Sequence, residues 1–271
     1  MNEKNENFRM TEHHTFEDIC TLVRILRAPD GCPWDRAQTH ASIRKNLLEE
    51  AYEVADAIDH DSPAMLREEL GDFLFQAAFH LVLEEEKGNF TAADAVSDLC
   101  EKMIHRHPHV FGETGDVPDW QALKEQEKAQ TDTTETMRAI PRTLPALMYA
   151  AKLLSCARHA GFVYERLEDE RDKVVEEWNE FHAAPPEVKQ EEFGDLLLAL
   201  VSYGKSCGID AEEALTLASQ KFLSRFAEME AMLCADGGKL AQYTKKDLLS
   251  AWRNAKERVN YTKIEKTAEN A

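Results

Sequence analysis

A pattern of paired acids that occurs twice constrains this chain more than any other feature. Glu49-Glu50-x-x-Glu53 is followed by Glu69-x-Gly71-Asp72, and the same order returns as Glu176-Glu177-x-x-Glu180 and Glu192-x-Gly194-Asp195. The flanking motifs return with it. Gly31-Cys32-Pro33-Trp34-Asp35 answers to Gly161-Phe162-Val163-Tyr164-Glu165, Lys102-x-x-x-Arg106 to Lys221-x-x-x-Arg225, and Trp120-x-x-x-Lys124 to Trp252-x-x-x-Lys256. The offset between copies is 127 residues at Glu50 and Glu177, 123 at Asp72 and Asp195, and 119 at Lys102 and Lys221. Connections shorten while the spacing inside each motif is kept, which marks a duplication that preserves its acids.

The duplication sets the expected domain organisation. With 271 residues and a prior of about 150 residues per domain, we expect an N-terminal helical domain over 1–128, a polar linker over 129–140 and a C-terminal helical domain over 141–271. Only 11 glycines and 9 prolines punctuate the chain, and alternating β-branched runs are absent, so the expected fold class is all-α: a tandem repeat of bundles of about four to five helices each. In the first copy the punctuation predicts helices over about 16–28, 41–58, 63–87 and 92–107, ended in turn by Pro29-Asp30-Gly31, by the polar run before Pro63, by Gly88-Asn89 and by Pro108. A short charged helix is expected from Asp119.

Composition removes several functions. A net charge of −19 without a basic stripe argues against nucleic acid as a partner. No apolar run approaches the roughly 18–20 residues of a membrane span. Six scattered cysteines without a C-x-x-C pair or a secretory signal read as reduced thiols of a cytoplasmic protein. No G-x-x-x-x-G-K-[ST] loop is present to cradle phosphates. Ile104-His105-Arg106-His107-Pro108-His109 invites a zinc reading, but three histidines at a helix end broken by proline read first as a cap and loop.

On a helix, residues three or four apart are neighbours, so each acidic motif holds like charges side by side, at about 0.2–0.5 kcal/mol per exposed pair. A lone motif of this kind is an ordinary solvated face. Two observations move the reading: E-x-G-D opens a strongly apolar helix, where unpaired carboxylates are expensive, and the whole set recurs. A glycine inside a helix costs about 1 kcal/mol, so Gly71 and Gly194 suggest the close approach of a backbone or a ligand. If two antiparallel helices bring the motifs together, Glu50, Glu53, Glu69 and Asp72 offer the all-oxygen coordination that Mg²⁺ prefers, with Mn²⁺ as the alternative. A di-iron bundle would want Glu-x-x-His instead, and here Asp72 or Asp195 stands at that position.

These motifs, with GCPWD upstream and Arg106-His107-Pro108-His109-Val110-Phe111-Gly112 downstream, resemble the MazG family of nucleoside triphosphate pyrophosphohydrolases in its two-repeat form. The resemblance implies an all-α pyrophosphatase fold, Mg²⁺ dependence, a homodimer, and conversion of a nucleoside triphosphate and water to a monophosphate and pyrophosphate. It implies metal ligation by Glu50, Glu53, Glu69 and Asp72 in one copy and by Glu177, Glu180, Glu192 and Asp195 in the other. Glu49 and Glu176 become candidates to orient the attacking water or to hold another metal. Lys173, Lys221 and Arg225 match phosphate-contacting positions, and Trp252 and Lys256 match positions at the nucleotide end, where an indole stacks on a base and tolerates several bases. Lys102, Arg106, Trp120 and Lys124 are the first copy's counterparts. The copies differ at Lys173, whose counterpart is Asn46, with Lys45 about 100° round the helix. We therefore expect the second copy to be the more complete catalytic centre. A rival expectation is a nucleotide- and metal-binding regulatory or scaffold protein with little turnover; five acids kept in each copy favour the enzyme.

Overall fold

In the first half of the chain proline, threonine and serine set where the helices begin. In a computed structural model of the chain, which describes residues 8, 13–112, 132–235 and 238–269 and side chains as far as 259, every regular element is helical. The chain divides into two compact units, Met1–Leu123 and Lys124–Ala271.

In the first unit the helices are α1 (Phe16–Arg27), α2 (Pro33–Ala37), α3 (His40–Asp59), α4 (Pro63–Glu86), α5 (Ala92–Arg106) and α6 (Pro108–Phe111). Thr15, Thr39, Ser62 and Thr91 cap four of them by accepting hydrogen bonds from backbone N–H groups one turn on. The four long helices lie within one or two residues of their expected bounds. The short α2 and α6 are additions: Pro33 and Pro108 stand at the first helical position, where a missing N–H is harmless, so each proline starts a turn rather than only ending one. Between α1 and α2, a Cβ on Gly31 would collide with the carbonyls of Ile25 and Leu26, which explains the glycine of GCPWD.

The core of this unit is built where α1 packs across α3 and α4. Cys20 and Val23 meet Ile43, Ala78, Phe79, Val82 and Leu83, all buried. Arg24 and Arg27 extend the α1–α4 contact by pairing with Glu85 and Glu86.

The second unit contains α7 (Thr133–Arg138), α8 (Ala146–His159), α9 (Leu167–Ala183), α10 (Lys189–Ser206), α11 (Ala211–Cys234), a 3-10 turn (Leu240–Gln242) and α12 (Lys245–Glu269). The helix α7 falls inside the stretch read from sequence as a linker, and it packs on α8. Helices α9 and α10 form the acidic pair, with α8 laid against α10. A second pair, α11 and α12, closes on Met229, Ala251 and Ala255. The expected helix from Asp119 lies outside the described residues.

Candidate active site

Both acidic sets are built by an antiparallel helix pair joined by a short turn: α3 with α4 in the first unit, α9 with α10 in the second. One helix brings E-E-x-x-E and the other E-x-G-D, and pairing them opposes residues that are far apart in sequence. One carboxylate oxygen from each of Glu50, Glu69 and Asp72 lies within 4.8 Å of the other two. Glu177, Glu192 and Asp195 do the same in the second unit. Glu177 is buried, Glu50, Glu69 and Glu192 are half-buried, and Asp72 and Asp195 are exposed.

Crowding shows in the titration of these groups. Desolvation, then the charges of Glu53 and Asp72, push Glu50 above the usual carboxylate range. Desolvation followed by Glu53 does the same to Glu69, and desolvation followed by Glu180, Asp195 and Glu177 to Glu192. Each of these carboxyls holds its proton more tightly because neighbouring negative charge and lost water both disfavour the ionised form. Three oxygens converging on one point, all from carboxylates, suit a hard divalent cation and offer nothing to a soft one.

The remaining expected ligands are placed differently. Glu53 and Glu180 are exposed and stand outside the three-oxygen sets, although their charge is felt by Glu69 and Glu192. Glu49 and Glu176 are exposed, one residue ahead of the buried or half-buried ligands. The expectation that a neighbouring backbone approaches the helix glycines is corrected: a Cβ on Gly71 or Gly194 would meet no protein atom within 4 Å, which leaves the approach of a ligand as the alternative.

Around the second set the cationic partner is explicit. The Lys173 ammonium lies 2.6 Å from Glu177 Oε1 and 2.9 Å from Glu176 Oε1. Its pKa is raised by the hydrogen bonds to Glu176 and then Glu177. In the first unit Asn46 occupies that position and Lys45 is exposed.

A cavity of about 180 Å³ opens beside this second set, reaching Lys173, Glu177 and Asp195. Leu154, Phe162, Val163 and Leu198 give it apolar walls, and Arg158, Glu170 and Ser202 line it as well. Those three were not singled out from the sequence. Lys221, Arg225, Trp252 and Lys256 stand on α11 and α12, a different helix pair from the one that carries the acids. Trp252 is half-buried against Phe222, with ring centroids 5.1 Å apart. In the first unit Lys102 is exposed on α5 and Arg106 is buried at its end. Trp120 and Lys124 lie outside the described residues. His107 ends α5, its Nδ1 2.6 Å from the Met103 carbonyl, and among the described residues no histidine joins a metal-binding set.

Residues 38–111, which span the acidic helix pair of the first unit together with α5 and α6, match the MazG nucleotide pyrophosphohydrolase domain. Similarity to known proteins then runs across both units. The chain is 38% identical over 244 residues to the nucleoside triphosphate pyrophosphohydrolase/pyrophosphatase MazG of Thermotoga maritima, covering 89% of this chain and 95% of that protein. The chain belongs to the MazG family. The Escherichia coli nucleoside triphosphate pyrophosphohydrolase is 38% identical over 251 residues, 88% of this chain and 95% of its own. Uncharacterized protein YabN of Bacillus subtilis is 39% identical over 256 residues, 90% of this chain but 52% of that longer protein. MazG family enzymes are generally dependent on a divalent metal, and the two carboxylate sets are where this MazG chain gathers oxygen donors.

Proposed function

We propose that the chain is a nucleoside triphosphate pyrophosphohydrolase that uses Mg²⁺, tolerates several bases in keeping the nucleotide pool, and turns over at the acidic set of its second unit. The observation that carries the reading is the convergence of Glu177, Glu192 and Asp195 beside Lys173 and a cavity, on a chain of this family. Glu177, Glu192 and Asp195 would hold Mg²⁺, or Mn²⁺ in its place, with Glu180 within electrostatic reach. When bound, the cation neutralises charge on the phosphate chain and makes water a better nucleophile.

The chain's own residues supply the rest. Glu176 is exposed and next to Glu177, and we assign it to orient the attacking water and accept its proton. Lys173 neutralises Glu176 and Glu177 when no cation is present. With a cation held at Glu177, Lys173 would be released from the two carboxylates to contact the phosphates. The apolar walls of the cavity suit a ring face at the nucleoside end, and an apolar space of ~150 Å³ already holds a benzene ring. By family resemblance Lys221 and Arg225 contact phosphates, and Trp252 and Lys256 the nucleotide end. The first unit keeps Glu49, Glu50, Glu53, Glu69 and Asp72 but has Asn46 in place of the lysine. We assign it cation binding, with Lys102, Arg106, Trp120 and Lys124 as the counterparts of a substrate site that does not turn over. Exposed Trp178, Leu200, Phe222 and Leu223 leave apolar surface on the second unit, which supports a homodimer.

The test is product analysis. Incubating the protein with a panel of nucleoside triphosphates and Mg²⁺ should release the monophosphate and pyrophosphate in equal amounts. Diphosphate with orthophosphate, or no turnover of any member, would overturn the proposal.

A further inference from the structure

The second unit differs from the first most sharply two helical turns away from the acids. Glu170 precedes Glu177 by seven residues on α9, and Ser202 follows Asp195 by seven on α10. Because the two helices are antiparallel, both positions lie about 10 Å along the pair from the acidic set, and on the same side of it. Arg158 of α8 joins them. Its Nη2 donates to Glu170 Oε1 at 3.1 Å and Oε2 at 3.3 Å, to the Ser202 carbonyl at 2.9 Å and to Ser202 Oγ at 3.1 Å. Its Nη1 donates to Ser206 Oγ at 2.6 Å. Glu170 is only 6% exposed.

The equivalent places in the first unit are apolar. Seven residues before Glu50 stands Ile43, and seven after Asp72 stands Phe79, with Leu83 one turn on; all three are buried in one core. There the helix spacing is set by packing, and the largely buried Arg27 lays its guanidinium 5.3 Å from the Phe79 ring centroid and pairs with Glu86 at the helix end rather than with a residue at the Ile43 position. In the second unit that volume is not filled: Arg158, Glu170 and Ser202 border the cavity that continues to Glu177 and Asp195. A site that needs open space beside its acids cannot use a phenylalanine to fix the helices that carry them.

From this contrast we propose that Arg158 and Glu170 are positioning residues of the second site. Their ion pair, buried at its Glu170 end and forked onto Ser202, takes over from core packing in setting the α9–α10 spacing, and so holds Glu177 opposite Asp195 while the cavity stays open. The inference rests on the second set being the catalytic one. Arginine suits the role because its planar fork reaches a carboxylate, a carbonyl and two hydroxyls at once, which a lysine ammonium does not.

Removing one partner of a buried pair unfolds many proteins, whereas replacing both with apolar groups of similar size is often neutral or stabilising. The test therefore uses Arg158→Met with Glu170→Leu in the full chain, beside Arg158→Lys, and Glu177→Gln as the control. Thermal unfolding, Mn²⁺ affinity by titration calorimetry, and kcat and KM for one nucleoside triphosphate are measured on each. We expect the double variant to unfold at or above the wild-type temperature, yet to lose at least tenfold in kcat and at least tenfold in Mn²⁺ affinity at the second set. Arg158→Lys should fall between. A second double variant, Glu170→Ile with Ser202→Phe, imports the first unit's residues and should raise KM or abolish turnover by filling the cavity. If the first double variant folds and keeps wild-type kcat and Mn²⁺ affinity while Glu177→Gln is inactive, the positioning role is refuted. If Glu177→Gln is fully active, it is the assignment of the catalytic set that fails.

Discussion

Replacing Lys173 by methionine should move two observables in opposite directions. The ammonium touches Glu177 at 2.6 Å and Glu176 at 2.9 Å, and the lysine side chain is 35% exposed. Solvent screening limits such a pair to about 1 kcal/mol or less, so little fold stability is lost. A divalent cation binding at Glu177 must displace or approach that positive charge. Its removal should therefore tighten Mn²⁺ binding in the absence of nucleotide, by at most about fivefold for 1 kcal/mol. Catalysis should suffer: a charge-assisted hydrogen bond to phosphate contributes about 1.5–3 kcal/mol, equivalent to a loss of roughly 10- to 150-fold in kcat/KM. Calorimetric titration with Mn²⁺ reads the first effect, in a background of Glu50→Gln and Asp72→Asn that silences the first set. Steady-state release of pyrophosphate from the otherwise wild-type chain reads the second. Weaker Mn²⁺ binding in Lys173→Met would refute the reasoning, because it would make the lysine a support of the cation site rather than its competitor.

The same geometry makes further outcomes checkable. Glu50, Glu69 and Glu192 have folded-state pKa values raised above the usual 4.5. As pH falls through those values the folded chain takes up protons that the unfolded chain does not yet hold. Their contribution to stability is therefore gained on acidification and lost as pH rises. Because protons compete with a cation for these oxygens, the rise in melting temperature produced by Mg²⁺ at pH 7.5 should shrink steadily toward pH 5, and Glu192→Gln should flatten that dependence. Gly31→Ala sets a Cβ against the carbonyls of Ile25 and Leu26, and overpacking of this kind costs about 1–3 kcal/mol. Hydrogen exchange should quicken across α1 and α2 with no change across α9 and α10.

Much of this architecture is legible in the sequence because its signals are local. The long helices of the first unit end close to where Pro29, Gly88, Pro108 and the polar run before Pro63 place them. The two acid sets are legible because the repeat fixes which motifs belong together, and an antiparallel pair then brings them face to face. What escapes is what depends on contacts between distant helices. Arg158 and Glu170 are ordinary surface residues in a linear reading, since only the fold carries α8 across to them. One signal is present: Glu170 stands where the other copy has Ile43, a charge at a core position of the repeat. The openness at Gly71 and Gly194 also escapes, because a glycine in a helix signals missing side-chain volume but not which neighbour uses it.

The central claim is that triphosphate turnover belongs to the carboxylates of the second unit. It is tested most directly by comparing Glu177→Gln with Glu50→Gln, equivalent positions in the two copies, for kcat of monophosphate and pyrophosphate release under saturating Mg²⁺. The account predicts that Glu177→Gln loses at least a hundredfold while Glu50→Gln stays within about threefold of wild type, since each 1.36 kcal/mol of lost transition-state stabilisation is tenfold. Equal losses in the two variants, or a larger loss in Glu50→Gln, would contradict it.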